Sequence, residues 1–344
     1  MSNYLLGVDG GGTKSHLVVF DRDGKCVCAT AYGALNHEVM EGSYTELEER
    51  LLEVIPRTFN NAGIKAEDVA EAVFGVAGVD TTAQMKIVSD IIQKTGLQHF
   101  TVCNDAVLGV PAGSPHCAGI CAISGTGFKV AAIDYSGVAL DTCGLGAYTD
   151  DKGGGSWFGL RACGMVYNSL YRLSRPTIMQ DMVFSLFGIS RKEEYLDAVT
   201  ESLYGETNQY DSVALNSIAF KAAAQGDAVA LDILAESASQ YAGAIVRLVL
   251  DMDFPEDKVL NITFAGSVFI KQEVKILPEM IEKLVADELK ARGVLGNRNE
   301  PEVRRINYTY LQAPPVAGAV IWAAQKAGFT IEPGLVEKEL KKYL

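Results

Sequence analysis

One pattern occurs twice in the chain and narrows the choice of fold more than any other feature. Residues 4–9, 14–21 and 25–32 are three runs rich in apolar, β-branched and aromatic residues, and Gly10-Gly11-Gly12-Thr13 joins the first two. From Cys117 the scheme returns as AGICAISGTG, FKVAAIDYSG and VALDTCG, with Gly125-Thr126-Gly127 after the first run. Runs of this kind bounded by glycine read as strands, and helical apolar spacing follows each set. Leu47, Leu51, Leu52, Val54 and Ile55 predict a helix over 42–62. AEAVFGVAG, 81–95, HFTVCND and 105–112 then read as strand, helix, strand and short helix. In the second half, 226–253 reads as a long helix, NITFAGS as a buried strand, 278–292 as a helix, VRRINYTYL as a strand and 314–328 as a helix. Two α/β lobes are expected, 1–116 and 117–330, and 344 residues give each an ample core. A short hinge is expected at Gly113-Ser114-Pro115-His116, and the C-terminal helix (within about 331–344) is expected to pack back on the first lobe.

The first glycine turn has a chemistry of its own. Without a Cβ, Gly10, Gly11 and Gly12 can turn their N–H groups toward an anion, and Thr13 adds a hydroxyl. A Walker A loop needs Gly-Lys-Ser/Thr, but Thr13 separates Gly12 from Lys14, and the spacing G-x-G-x-x-G ends in Ser15. Both of those loops open a helix, whereas SHLVVFD is strand-like and runs into the turn Asp21-Arg22-Asp23-Gly24, so a hairpin is expected. The second turn, Ser124-Gly125-Thr126-Gly127, repeats the small-residue and threonine chemistry. With one such loop on each wall of a cleft, a nucleotide can be clamped between the lobes. A third turn, Phe264-Ala265-Gly266-Ser267-Val268, offers bare backbone to an adenine or ribose, although such turns also end ordinary strands.

A net charge of −13 and an absence of basic stripes argue against nucleic acid as a partner. A bound polyanion such as ATP must be held locally, by backbone amides and a divalent cation. The seven cysteines, Cys26, Cys28, Cys103, Cys117, Cys121, Cys143 and Cys163, are odd in number and lack paired C-x-x-C spacing, so buried free thiols are expected. MSNYLLGVDGG lacks the basic start and apolar stretch of a leader. No run reaches the roughly 18 apolar residues of a membrane span, and a cytoplasmic protein is expected.

Five segments in order resemble the actin–hexokinase–Hsp70 ATPase superfamily. They are LLGVDGGGTK, TVCNDAVLG, GICAISGTGF, ITFAGSVF and APPVAGAVIWA. Within it the chain most resembles the BadF/BadG/BcrA/BcrD ATPase family, and there the N-acetylglucosamine kinases. They share Thr-Lys after the glycines, Asn36-His37, Asn104-Asp105, Ser-Gly-Thr-Gly and GLGAYTDDKGGGSWFG. The resemblance implies two ribonuclease H-like (actin-like ATPase) lobes with an interlobe cleft, ATP and Mg²⁺ as cofactors, an amino sugar as substrate and a homodimer. It implies phosphate-binding roles for Gly11, Gly12, Thr13, Lys14, Thr126 and Gly127, and an adenosine site at Ala265, Gly266 and Ser267. It assigns the sugar to Asn36, Asn104, Asp105, Gly125, Thr126, Gly144, Leu145 and Asp151.

Phosphoryl transfer to a sugar hydroxyl needs a proton acceptor, a metal and accurate positioning. Asp105 is the candidate base, and at a strand end before a helix it is equally suited to capping the turn. Asp9, before the glycines, is a candidate Mg²⁺ ligand through water, or a brace for the turn. Lys14 faces either a phosphate or solvent. His37 reads as a loop-packing residue. Gly153-Gly154-Gly155-Ser156 opens a helix, as an anion site or a flexible lead-in. The family's animal kinases carry tryptophan where Leu145 stands, and Asp150-Asp151-Lys152 is more charged than the usual Gly-Asp-Glu. Glucosamine and N-acetylmuramic acid therefore stand beside N-acetylglucosamine as acceptors. A BadF-type ATPase that activates a partner enzyme through a cysteine-held cluster is the alternative class, with Cys143 lacking a nearby second cysteine.

Overall fold

The computed structural model describes residues 3–142, 144–204, 212–294 and 305–344. Strands β1 (Tyr4–Gly10), β2 (Ser15–Asp21) and β3 (Cys26–Tyr32) form an antiparallel meander, and β4 (Val69–Val76) and β5 (Phe100–Cys103) extend it in parallel, in the order β3-β2-β1-β4-β5. In the second half β6 (Gly119–Ser124), β7 (Phe128–Ile133), β8 (Ala139–Thr142), β9 (Leu260–Ala265) and β10 (Ile306–Tyr310) repeat it as β10-β9-β6-β7-β8. Two α/β lobes of one topology are present, as the duplicated pattern implies. Cys143, expected at the end of the third strand, and residues 303–304 of the expected last strand lie outside the described residues.

Strand alternation sorts each sheet into an outer and an inner face. Leu6, Val8, Leu17 and Val19 point outward against Leu47, Leu51 and Ile55 of the helix Ser43–Ala62. Leu5, Val18, Phe20 and Val73 point inward, where they meet Cys121, Ala131 and Ile133 of the second sheet and Val316, Val320 and Trp322 of the helix Pro315–Ala327. The two lobes thus share a continuous apolar floor, in which each fully buried large side chain contributes about 1.5–3 kcal/mol.

Two elements cross at that floor. The helix Gly109–Gly113 lies on the second sheet, and Pro315–Ala327 lies on β1 and β4 of the first. Small residues make the approach possible. A methyl group on Gly7 would stand 2.8 Å from Val320 Cγ2, and one on Gly318 would stand 3.1 Å from Ala112 N. The return to the first sheet therefore begins at Pro315, earlier than the 331–344 segment expected to make it. The helix Pro333–Leu340 continues the return, with Leu335 against the β2–β3 turn at Gly24. The segment joining the lobes is short, and Gln325 Nε2 pins it by donating to His116 O at 2.7 Å. No helix among the described residues is long and apolar enough to cross a membrane.

Candidate active site

The glycine turn closes a hairpin, as its flanks imply. Gly10 pairs with Ser15, Leu35 N–H donates to Gly11 O at 3.0 Å, and Ala77 N–H donates to Gly10 O at 2.8 Å. Alternation places Asp9 on the inner face with Leu5 and Gly7, so its carboxyl emerges into the cleft beyond the apolar floor. Thr13 and Lys14 lie exposed at the tip of the turn.

Across the sheet, β5 ends at Cys103, and Asn104 caps the turn Asp105–Leu108 by accepting from Ala106 N–H at 3.0 Å. The cap open to Asp105 in the sequence is therefore made by Asn104, and Asp105 heads the turn. Burial raises the Asp9 pKa to about 7, the Asp105 charge adds to the rise, and Lys14 offsets part of it. Burial also raises the Asp105 pKa, with the Lys129 ammonium pulling it back. Two carboxyls thus sit within electrostatic reach of each other, screened from bulk water, a state typical of functional sites.

The opposite wall is built on backbone contact. Gly155 N–H donates to Gly125 O at 2.8 Å and Gly125 N–H to Gly127 O at 3.1 Å, so the helix Gly155–Tyr171 starts directly beneath the second glycine turn. A methyl group on Gly154 would stand 2.7 Å from Gly127 Cα. Gly154 and Gly155 are there for this close packing, and Gly153 for the rings of Tyr241 and Phe128, which neither sequence reading of them anticipated. Gly266 has a φ of +91°, and its Cβ position lies 2.6 Å from the Ser124 carbonyl carbon, so the third turn crosses the second. Ala265 is buried and Ser267 exposed, while Thr126 and Gly127 face open space.

The expected sugar residues divide. Asn36 is buried, its Oδ1 accepts from Glu38 N–H at 2.8 Å, and its Nδ2 lies 3.9 Å from the Cβ position of Gly12. His37 stacks on Tyr44 at 4.1 Å, in keeping with a packing role. Gly144, with φ +103°, lies against the Lys129 side chain. Leu145 is half exposed. The Asp151 carboxylate turns into its own loop, accepting from Gly146 N–H at 2.8 Å and Thr149 Oγ1 at 2.9 Å.

Sequence reasoning missed three residues here. Lys129 lies between Asp80, which follows β4, and Asp141 of β8, whose carboxylate is 2.8 Å from Nζ. Asn104 Nδ2 donates to Asp80 Oδ1 at 3.0 Å. The available signal was the lysine itself, isolated in the apolar run FKVAAI.

Among the described residues no cluster of three or more His, Cys, Asp or Glu could hold a metal. Mg²⁺ needs less, since it commonly takes one or two carboxylates and completes its shell with phosphate and water. Two neighbouring carboxyls, Asp9 and Asp105, match that donor set in number and kind. Six described cysteines carry free thiols, five buried and Cys163 half-buried.

The model of the BadF/BadG/BcrA/BcrD ATPase family matches residues 6–292. The chain belongs to that family. An N-acetylmuramic acid/N-acetylglucosamine kinase of Clostridium acetobutylicum is 26% identical over 266 residues, which is 77% of this chain and 85% of the relative. An N-acetyl-D-glucosamine kinase of Dictyostelium discoideum is 20% identical over 308 residues, 87% of this chain and 95% of the relative. A Chromobacterium violaceum structure, provisionally assigned as an N-acetylglucosamine kinase, superposes with a TM-score of 0.55 at 19% identity, covering 93% of this chain and 98% of that one. The fold is the actin-like ATPase fold of such kinases.

Proposed function

We propose that the protein is an ATP- and Mg²⁺-dependent amino-sugar kinase that transfers phosphate to the primary 6-hydroxyl of N-acetylglucosamine. The observation carrying this reading is that Asp105 heads a capped turn packed against strands of both sheets, within electrostatic reach of Asp9. The kinase names of its relatives support it.

In this reading the backbone N–H groups of Gly11, Gly12 and Gly127, with Thr13, Thr126 and Lys14, hold the phosphates. Ala265, Gly266 and Ser267 border the adenosine. Asp9 holds Mg²⁺, through water, and the ion, when bound, neutralises charge on the transferring phosphoryl group. Asn36, Asn104, Gly125, Gly144 and Leu145 line the sugar, and Asp151 shapes the loop that closes on it. As the bond from O6 to the γ-phosphorus forms and the bond to ADP breaks, the hydroxyl proton passes to a carboxylate oxygen of Asp105. Lobe closure keeps water from competing. Around Asp105, three carboxylates, its own and those of Asp80 and Asp141, stand against one buried ammonium, Lys129, a negative balance that favours a neutral sugar over one with an added carboxylate. A cytoplasmic homodimer completes the reading.

Asp105→Asn tests it, because the amide keeps the shape and cannot take the proton. ³¹P NMR of wild type with Mg²⁺-ATP and N-acetylglucosamine should show a sugar 6-phosphate. The variant should show none while calorimetry finds the sugar still bound; wild-type turnover in the variant would remove Asp105 as the base.

A further inference from the structure

We propose that Lys129 is a positioning residue that ties the two lobes together behind Asp105 and holds the turn on which Asp105 stands. Strand β7 is otherwise apolar, and alternation puts Lys129 on the inner face with Ala131 and Ile133. Burying an ammonium there costs several kcal/mol unless partners offset it. Its partners come from different lobes: Asp141 on the neighbouring strand β8, and Asp80 on the loop after β4 of the first sheet. All three side chains are less than 20% exposed, so the pairs are little screened.

Asp80 is where the brace meets the catalytic turn. Its backbone N–H donates to Gln84 Oε1 at 3.0 Å, which fixes the loop. Its Oδ1 accepts from Lys129 and also from Asn104 Nδ2 at 3.0 Å. The other end of the Asn104 amide caps the Asp105 turn through Ala106 N–H. One chain of contacts therefore runs Asp141, Lys129, Asp80, Asn104, Ala106, from the second lobe to the base of the first. Without the ammonium, Asp80 and Asp141 would be left buried and mutually repelling, and Asn104 would lose its fixed partner. The turn 125–127 has a further anchor outside the brace, the Gly155 N–H donated to Gly125 O.

The kinetic part of the test rests on the kinase reading, and the exchange part does not. Lys129→Met, Lys129→Arg, Asp80→Asn and the double variant Lys129→Met/Asp80→Asn are made in the full chain. Lys129→Met should lower kcat about tenfold to a hundredfold, the scale of a base misplaced by roughly 1 Å, with the Kd of ATP within about threefold. Lys129→Arg should recover most of the loss. The double variant should lose no more than its worse single parent, since both changes cut one chain. Hydrogen exchange of residues 104–108 should quicken in Lys129→Met and not in Lys129→Arg. Lys129→Met with kcat within about twofold of wild type, or losses that add in the double variant, would overturn the proposal. If Lys129→Met does not fold, Asp80→Asn against wild type carries the same comparison. If wild type phosphorylates no sugar, the kinase reading falls, and exchange alone decides: faster exchange in the variants supports the brace, and unchanged exchange overturns it.

Discussion

Two glycines inside helices should respond to the same substitution with opposite signs. Gly243 lies on the exposed side of the helix Ala228–Asp251, and nothing stands within 4 Å of its Cβ position. Gly243→Ala should therefore stabilise the protein by about 0.5–1 kcal/mol, the backbone entropy that glycine loses in a helix. Gly318 lies inside Pro315–Ala327, where that helix crosses the Asp105–Gly113 segment. Its Cβ would fall on the Leu108 carbonyl oxygen, 2.9 Å from the carbonyl carbon and 3.1 Å from Ala112 N. The opposing atoms are backbone, so no rotamer change relieves the contact, and the crossing must open by roughly 1.5 Å at the Leu108 carbonyl oxygen to restore ordinary van der Waals separation. Overpacking costs about 1–3 kcal/mol, and with the upper figure and about 1 kcal/mol of helix propensity gained, Gly318→Ala should lose about 2 kcal/mol net. Urea unfolding of the three proteins reads both effects as shifts of the midpoint at constant slope. Gly318→Ala as stable as wild type would refute the tight crossing on which the shared floor of the two lobes depends.

Asp9 gives a pH test in ligand-free, chelator-treated protein. Its carboxyl ionises near 3.8 ordinarily and near 7 in the folded chain, so the unfolded state binds fewer protons between those values, and stability falls as pH rises through that window. Asp9→Asn should flatten this part of the stability profile and raise stability at pH 8 by at most about 4 kcal/mol, the full linkage of the shift. An unchanged profile would show that Asp9 is not the buried acid. Gly266→Ala forces a side chain onto a residue at φ +91° and against the Ser124 carbonyl. It should weaken ATP binding at least about tenfold in calorimetry, by the measure of a strained left-handed residue, and an unaltered Kd would contradict the contact between the two turns. Chelation should abolish turnover and Mg²⁺ restore it; full activity in excess chelator would remove the metal from the reading.

The strands were legible because their apolar runs and glycine boundaries are local, and the flanks of Gly10–Thr13 alone distinguished a hairpin from a helix start. Asn104-Asp105 was legible as a strand-end pair, while the division of labour between them needed the turn geometry, since either residue type caps well. The helices Met179–Phe187, Tyr195–Tyr204 and Ser212–Ala224 went unread, because short insertions with mixed apolar faces give little period to follow. Lys129 and Asp80 are 49 residues apart and meet only where the lobes do, so no sequence window contains the pair. The same holds for Gly154 and Gly155, whose reason lies in the turn at 125–127. The return of Pro315–Ala327 to the first sheet was missed for a different reason: an apolar helix shows that it is buried, not which sheet buries it.

The most direct test of the account is ADP release from Mg²⁺-ATP in the presence of N-acetylglucosamine, glucosamine, N-acetylmuramic acid, N-acetylmannosamine and glucose, each measured against a sugar-free control. The account gives strong stimulation by N-acetylglucosamine, with N-acetylmuramic acid weaker because its carboxylate would meet the negative balance around Asp105. ADP release that no sugar stimulates would contradict it.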